Sequence, residues 1–364
     1  MPRPCNHFLV IVARLFCLTS MKKNKQKLKK MAEVVLEKAP KDGVFPLAYY
    51  TTTNLETSVR IKNNWLEVKN IEMDKGIRIS RNFSLAECIV GDSVKKGDLI
   101  IIGGEGIKVE SNQKQIDSSR FGFMMNDAST ERSKALTIEK IAQEMKRIKQ
   151  KNGRIILVGG PAIVHTGAAD HVAQIIAGKF VDVLFAGNAL AVHDLERAYL
   201  GTSLGVDSKT GQSAKGGHHH HLRTINAIRY YGSIEKAVAA GIITSGIMYE
   251  VTKRKLPFVL AGSIRDDGPI PEVITDAQKA QQAMRQEIQK GADLVIMVAT
   301  TLHSIAVGNL LPAKVKKVFV DINPSAAIKL SDRGTSDSIS LVTDCEFFFS
   351  RLEYFLNQTQ VRNL

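Results

Sequence analysis

No run of about 18 consecutive apolar residues occurs anywhere in the chain, which leaves no candidate for a membrane-spanning helix. Cysteine is scarce: Cys5, Cys17, Cys88 and Cys345 form no CxxC pair and show no metal-type spacing. That argues against a disulfide framework and a structural zinc, and fits a reducing cytosol. No basic patch interleaved with aromatics is present, so no nucleic-acid partner is expected. The G-x-G-x-x-G fingerprint of a regular dinucleotide fold is also missing, because Gly159-Gly160-Pro161 lacks its spacing.

What is present is ordinary globular material. Hydrophobic residues make up 44% of the 364 and charged residues 24%, enough for a sizeable core. The length suits two domains. The net charge of +14 is unevenly placed: residues 1–41 hold ten Lys/Arg against Glu33 and Glu37. A basic tail on a nearly balanced body reads as a solvated arm. Phe8 to Leu18 is apolar but broken by Arg14, and the Lys-rich stretch behind it opposes export. Translation starting at Met21 or Met31 is the simpler expectation, with residues 1–40 a basic extension.

From Gly43 to Val109 the pattern is short and β-like. Tyr49 to Thr53 is rich in strand formers, Val59-Arg60-Ile61 and Gly76 to Ile79 alternate, and Leu99 to Ile102 follows a Lys-Gly-Asp turn. Residues 41–132 are therefore expected to form a small β-rich domain, closing with a polar loop over 111–132. Leu136 to Lys149 then places Ile138, Ile141, Ala142, Met145 and Ile148 at helical spacing.

Beyond Lys151 short apolar runs recur: 154–158, 181–186, 258–260, 293–298, 318–320 and 339–342. Continuous rather than alternating runs mean strands buried on both faces, hence a parallel sheet between helices. Residues 133–364 are read as a doubly wound α/β domain. Ligands of such sheets sit beyond the carboxyl ends of the strands. The unusual residues collect there: Gly159-Gly160-Pro161, Gly187-Asn188-Ala189, Ser263 to Pro269, Thr300 to His303, Asp321 and Thr343-Asp344. Tight βα turns would explain any one of these loops; six at one edge point to a ligand.

Asp321 closes a strand, where a carboxylate can accept both ribose hydroxyls and repel a 2′-phosphate, favouring NAD over NADP. Its alternative role is to cap the helix starting near Pro324, which Asn323 would do equally well. Asp344 carries the same ambiguity. His165, His193 and His303 follow strand ends and suit acid–base work near neutral pH. Asp266 and Asp267 form a carboxylate pair beside Arg265, which is itself suited to clamp a substrate carboxylate; a solvated turn is the plainer reading. Adjacent histidines do not face one metal on a regular element, so His218 to His221 read as a surface loop or helix start and no metal site is expected.

The segments GPAIVHTGAA (160–169), GNALAVHDLE (187–196), GTSLGVD (201–207), TSGIMYE (244–250), FVLAGSIRDDGPIPEVITD (258–276), LHSIAVGNLLPAKVK (302–316) and VDINP (320–324) resemble the alternative ornithine cyclodeaminase family, also described as a LOR/SDH-like conserved region. In cyanobacteria the same module forms the C-terminal half of a bifunctional arginine dihydrolase/ornithine cyclodeaminase. The resemblance runs from about Pro46 to about Phe355. It implies a β domain joined to a deoxyhypusine-synthase-like NAD-binding domain, which would account for the missing glycine fingerprint. It also implies a cytoplasmic homo-oligomer that converts L-ornithine to L-proline and ammonia with catalytic, regenerated NAD. By motif, the NAD contacts would be Asn188, Ala189, Asp267, Thr300, Thr301, Leu302, His303, Asp321, Asp344 and Cys345. Asp266, His193 and Arg265 are the candidates for a base and a carboxylate partner.

Two departures stand out. Residues 1–40 have no room for a dihydrolase half, so arginine is not an expected substrate, and the His218 to His221 run replaces a more mixed segment. The competing expectations are an opine- or saccharopine-type dehydrogenase and a non-catalytic NAD-sensing module.

Overall fold

The structure is a computed structural model that describes residues 32–110, 134–207, 212–214, 217–266, 268–331 and 338–358. The chain divides into two compact units at Ser111/Asn112. The loop expected over 111–132 lies outside the described residues, as do residues 1–31.

The first unit is one seven-stranded sheet. Its strands are β1 (Val35–Lys38), β2 (Thr57–Ile61), β3 (Asn64–Lys69), β4 (Gly76–Ile79), β5 (Ala86–Ile89), β6 (Leu99–Ile102) and β7 (Ile107–Val109). They run in the order β1-β6-β4-β5-β3-β2-β7, antiparallel except for the β3–β5 pair. Lys62 and Asn63 join β2 to β3 with φ of 48° and 64°, the two positive angles of a tight hairpin turn that matches strand twist. Val59, Ile61, Ile77, Ile79 and Ile101 fill the core.

Two expectations change here. Val35–Lys38, grouped with the basic extension, is a strand paired to β6, with Val34 buried behind it. Tyr49 to Thr53 is not a strand. Tyr49 makes one isolated bridge to Ile102, and the Thr52 hydroxyl donates instead to the carbonyl of Glu72 at 2.6 Å. Side-chain bonding of this kind competes with a sheet ladder.

The second unit opens with α1 (Lys134–Gln150), which buries Ile138, Ile141, Ala142, Met145 and Ile148, the five positions expected from spacing. Seven strands follow in one parallel sheet: β8 (Ile155–Gly159), β9 (Val183–Gly187), β12 (Phe258–Ala261), β13 (Val273–Ile274), β14 (Leu294–Val298), β15 (Lys316–Asp321) and β16 (Ser338–Val342). A separate two-stranded hairpin is made by β10 (Thr202–Ser203) and β11 (Val206–Asp207). The helices after α1 are α2 (Ala162–His165), α3 (Ala169–Ala177), α4 (Asn188–Leu200), α5 (His220–Tyr231), α6 (Ile234–Ala239), α7 (Ile247–Lys253), α8 (Ala277–Gln289), α9 (Thr301–Leu310), α10 (Pro324–Ser331) and α11 (Cys345–Asn357). Among the described residues no helix is long and apolar enough to cross a membrane.

Alternate residues along each central strand serve opposite faces. Ile155, Leu157, Leu184, Ile296 and Val318 pack under α1, α3, α4 and α11, whereas Ile156, Val158, Phe185, Val295 and Met297 meet Met284 and Ile288 of α8 and Val307 and Leu310 of α9. Each such side chain contributes about 1.5–3 kcal/mol when fully buried, so the continuous apolar runs are the direct record of a two-sided sheet.

The sheet order is β13-β12-β9-β8-β14-β15-β16. From β8 the chain builds outward through β9, then crosses back to lay β14 against the other side of β8. The loops leaving β8 and β14 therefore diverge, and a crevice opens between them at the carboxyl edge. Their roots are in contact: Gly160 N donates to Val298 O at 2.9 Å, and a Cβ on Gly160 would lie 1.8 Å from the carbonyl oxygen of Ala299. Backbone cannot step aside as a flexible side chain can, so Gly160→Ala should lower unfolding stability by about 1–3 kcal/mol or more. Gly308, in α9 with nothing within 4 Å of a built Cβ, is the control. Gly308→Ala should raise stability by about 0.5–1 kcal/mol, both read from denaturant midpoints.

Candidate dinucleotide and substrate site

Helix starts differ across the carboxyl edge. At the outer positions α8 and α11 are capped by their own acids: Asp276 Oδ1 accepts from Gln278 N and Lys279 N at 2.9 and 3.0 Å, and Asp344 Oδ1 from Glu346 N and Phe347 N at 2.7 and 3.1 Å. At the centre, α4 begins after Gly187 and α9 after Thr300 with no side-chain cap. The Thr300 hydroxyl instead meets His303 Nδ1 at 3.3 Å. The first amides of α9 thus carry the positive end of a helix dipole toward the crevice.

Four neighbouring features define this half. Gly187 makes room for the ring of His303, whose Cε1 would lie 3.0 Å from a built Cβ. Burial pushes the His303 imidazole below its ordinary value, with nearby Asp266 opposing, so the ring is neutral at neutral pH. Asn188 is buried and its Oδ1 accepts Ile270 N at 3.2 Å, tying the start of α4 to the loop after β12. At the end of β15, Asp321 Oδ1 accepts Asn323 N at 2.9 Å, while Asn323 Oδ1 takes Ser325 N at 2.9 Å and caps α10. Asn323 is therefore the cap, and Asp321 is a half-buried carboxylate at the strand end.

Other expected residues are less available. Asp266 Oδ2 accepts Ser263 N at 2.8 Å within its own turn, and Arg265 is exposed. Asp267 lies outside the described residues, as does any carboxylate pair it would make with Asp266. Asp344 takes the capping alternative. Burial, with the neighbouring Asp344 and Asp321 charges, pushes the Cys345 thiol up to about 12, so it is a neutral thiol and not a nucleophile. Ile264 after β12, Leu302 in the first turn of α9 and Ile322 after β15 stand exposed at this edge.

A second group lies on the β8–β9 side and was not legible as a unit. His193 Nδ1 is 3.1 Å from Glu196 Oε2, one helical turn on. Glu196 is fully buried and also accepts Leu204 N at 3.3 Å, Gly205 N at 3.0 Å and the Thr202 hydroxyl at 2.9 Å. The β10–β11 turn, Leu204-Gly205 with φ of 52° and 73°, is thereby pinned onto α4. Thr202 has one proton and gives it to Glu196, so it must accept at its 2.8 Å contact with His220 Nδ1, which makes that nitrogen the donor. His165 Nδ1 meets Ser203 Oγ at 2.8 Å, and its ring lies edge-on to His193 with centroids 4.6 Å apart. His220 and His221 are half-buried at the start of α5, and His221 lies 6.5 Å from His193. Of the two readings of the histidine run, the helix start holds for these two, and packing of α5 on α4 draws them in. Among the described residues no cluster could hold a metal ion. The one sequence signal for Glu196 was its i,i+3 spacing from His193, which puts both on one helix face.

A seven-stranded parallel sheet with a central crossover, uncapped helices at the crossover and a carboxylate at a neighbouring strand end define a Rossmann-type α/β unit joined to a β-rich unit. Residues 139–352 match the family model of the arginine dihydrolase ArgZ-like C-terminal Rossmann fold, and residues 56–138 that of the ArgZ-like C-terminal first region. Ornithine cyclodeaminase of Methanocaldococcus jannaschii is 51% identical over 326 residues, 88% of this chain and 77% of that one. The bifunctional arginine dihydrolase/ornithine cyclodeaminase AgrE of Nostoc sp. is 43% identical over 89% of this chain, which spans 46% of AgrE. Among solved structures, a conserved LOR/SDH protein from Methanococcus maripaludis superposes with a TM-score of 0.83 at 44% identity, covering 90% of this chain and 97% of that one. The ternary complex of AgrE with ornithine and NAD+ matches with a TM-score of 0.61 at 42% identity, over 90% of this chain and 46% of that one. The chain belongs to the ArgZ-like C-terminal family, together with these ornithine cyclodeaminases.

Burial pushes the Glu196 carboxyl up, but the hydrogen bonds from His193, Gly205 and Thr202 outweigh it and hold the group below the usual carboxylate range. A depressed carboxylate stabilises the fold above its unfolded pKa, about 4.3, and loses that contribution as pH falls through the lower folded value. Glu196→Gln sets an amide against these donors. It should cost about 1–3 kcal/mol at neutral pH and flatten the acid limb of stability, measured by urea unfolding from pH 7 down to pH 3.

Proposed function

We propose that the chain is an NAD-dependent ornithine cyclodeaminase, an ammonia-lyase that converts L-ornithine to L-proline and ammonia without net consumption of cofactor. The observation that carries the reading is the juxtaposition, at one switch point, of an uncapped α9 N-terminus with the half-buried Asp321 carboxylate one strand away. A pyrophosphate suits the first and a ribose diol the second. The relatives named ornithine cyclodeaminase and the AgrE complex with ornithine and NAD+ support both ligands.

The residues fit the cofactor. Amides at Thr301, Leu302 and His303 would receive phosphate oxygens, and Asp321 would accept the ribose hydroxyls. Leu302 and Ile322, exposed at the same edge, offer apolar surface to the cofactor's rings. Asn188 and Ala189 open α4 where the nicotinamide end would lie; Asp267 stays in the cofactor set with Asp344 and Cys345, the last as a neutral thiol. The chemistry that NAD supplies when bound is removal of a hydride from the α-carbon of ornithine and its later return. The chain must hold the α-carboxylate, take the ammonium protons and exclude water. Arg265 is the candidate for the carboxylate, Asp266 for the ammonium protons that leave before the hydride, and His193 for the protons that move after it.

Incubation with L-ornithine and catalytic NAD should yield proline and ammonia in equal amounts with no build-up of reduced cofactor. Accumulating NADH without proline would instead identify a dehydrogenase, and NAD binding without product a sensing module. In calorimetric titrations NAD should bind more tightly than NADP, and Asp321→Ala should weaken NAD and narrow that gap, since loss of the carboxylate removes its repulsion of a 2′-phosphate. An unchanged ratio would remove Asp321 from the ribose site.

A further inference from the structure

Exchanging one amine for another at a single carbon poses a proton problem that hydride chemistry does not solve. Once the hydride has left, the α-carbon is an iminium, C=NH2+. The neutral δ-amine adds to it: a C–N bond forms from the δ-nitrogen lone pair, and the C=N π pair passes to the α-nitrogen. The new ring nitrogen now carries one proton too many and the α-nitrogen one too few to leave as ammonia. One group at the carboxyl edge must take the first proton and supply the second.

We propose that His193 is this proton shuttle and that Glu196 is the positioning residue that holds it; the proposal rests on the cyclodeaminase reading above. His193 would accept the proton from the ring nitrogen and return it to the α-nitrogen. The α-C–N bond then breaks with its electron pair going to ammonia, while the ring nitrogen's lone pair closes the cyclic C=N. His193 ends as it began, and no external acid or base is consumed.

The geometry supports this assignment. Glu196 has four acceptor positions as an ionised carboxylate, and four donors fill them: Thr202 Oγ1, Leu204 N, Gly205 N and His193 Nδ1. Three of these lock the hairpin, so the carboxylate cannot turn away from the fourth. An anchored carboxylate at Nδ1 fixes the Nδ1–H tautomer, leaves Nε2 as the free lone pair and stabilises an imidazolium formed in passing. A Ser-His-Asp site orients its base by the same logic.

The surroundings suit a group that is charged only briefly. His165 faces His193 edge-on, and burial pushes it down to about 4, so it is neutral at working pH. His220 is spent on Thr202 and His221 lies 6.5 Å away. Of the other charges on α4, Asp194 turns to the amides of Ile247 and Met248 at 2.9 and 2.7 Å, and Arg197 pairs with Asp170. Among the described residues, Glu196 is thus the anion that meets the imidazole.

Two experiments on the full chain decide the matter. The first needs no turnover: 15N NMR of the histidine rings should show His193 as the Nδ1–H tautomer at neutral pH, with that preference lost in Glu196→Gln; an Nε2–H tautomer overturns the proposal. The second compares wild type with His193→Asn, whose amide can still donate to Glu196, after thermal midpoint and NAD binding are shown to be retained. Bound NAD should still be reduced on adding ornithine, while ammonia release falls by at least about 100-fold, the usual scale of a lost acid–base group. Ammonia release near the wild-type rate, or parallel loss of cofactor reduction, overturns the shuttle alone. A wild-type chain that releases no ammonia from ornithine overturns the functional reading, and the shuttle with it.

Discussion

The contact of Gly160 with the carbonyl of Ala299 fixes where everything else in the second unit can be. It welds the roots of the loops that leave β8 and β14, the two strands between which the chain reverses its direction of travel across the sheet. With the roots held, the loops themselves must part, and the helix starts on either side face a common crevice. The energetic source of that arrangement lies below it, in strands such as Leu294–Val298 whose five residues are all buried. A sheet packed on both faces tolerates little displacement of a strand end. Rigid strand ends give the edge its precision, and the loops above them are left to vary in chemistry.

The edge then separates two kinds of electrostatics. On the β14–β15 side the fold offers uncompensated helix amides beside one carboxylate, a combination suited to a phosphate and a sugar diol. On the β8–β9 side it buries an acid completely and surrounds it with its own donors. Burying Glu196 would be costly if any of its acceptor positions were empty. The Leu204-Gly205 turn, with both residues at positive φ, aims two amides at the carboxylate and so makes that burial sustainable. A hairpin of four paired residues outside the main sheet thereby acquires a role: it converts an acid on α4 into a fixed support for the imidazole one turn away.

The sequence made the second unit's six long strands legible because two-sided burial leaves continuous apolar runs, and α1 because its five buried residues repeat at helical spacing. β13 escaped notice: two half-buried residues carry no periodicity, and Val273–Ile274 is a strand only because β12 lies beside it. The first unit was less readable, since Thr52 spends its hydroxyl on a distant carbonyl and Arg60 is buried between Val59 and Ile61. At the site, single residues at strand ends such as Asp321 and His303 could be picked out by position alone. Their partners could not. The Asx turn that frees Asp321 from capping depends on Asn323, and the Glu196 cluster assembles residues from α4, the hairpin and α5 whose separation in sequence hides their contact.

At the centre stands the idea that a hydride leaves the α-carbon and returns to the same carbon while the amine is exchanged. L-Ornithine carrying deuterium on its α-carbon, turned over with catalytic NAD in ordinary water, tests it most directly by mass spectrometry of the product. Proline that retains the deuterium at its α-carbon is the expected result. Proline whose α-position has filled with solvent hydrogen would contradict the account.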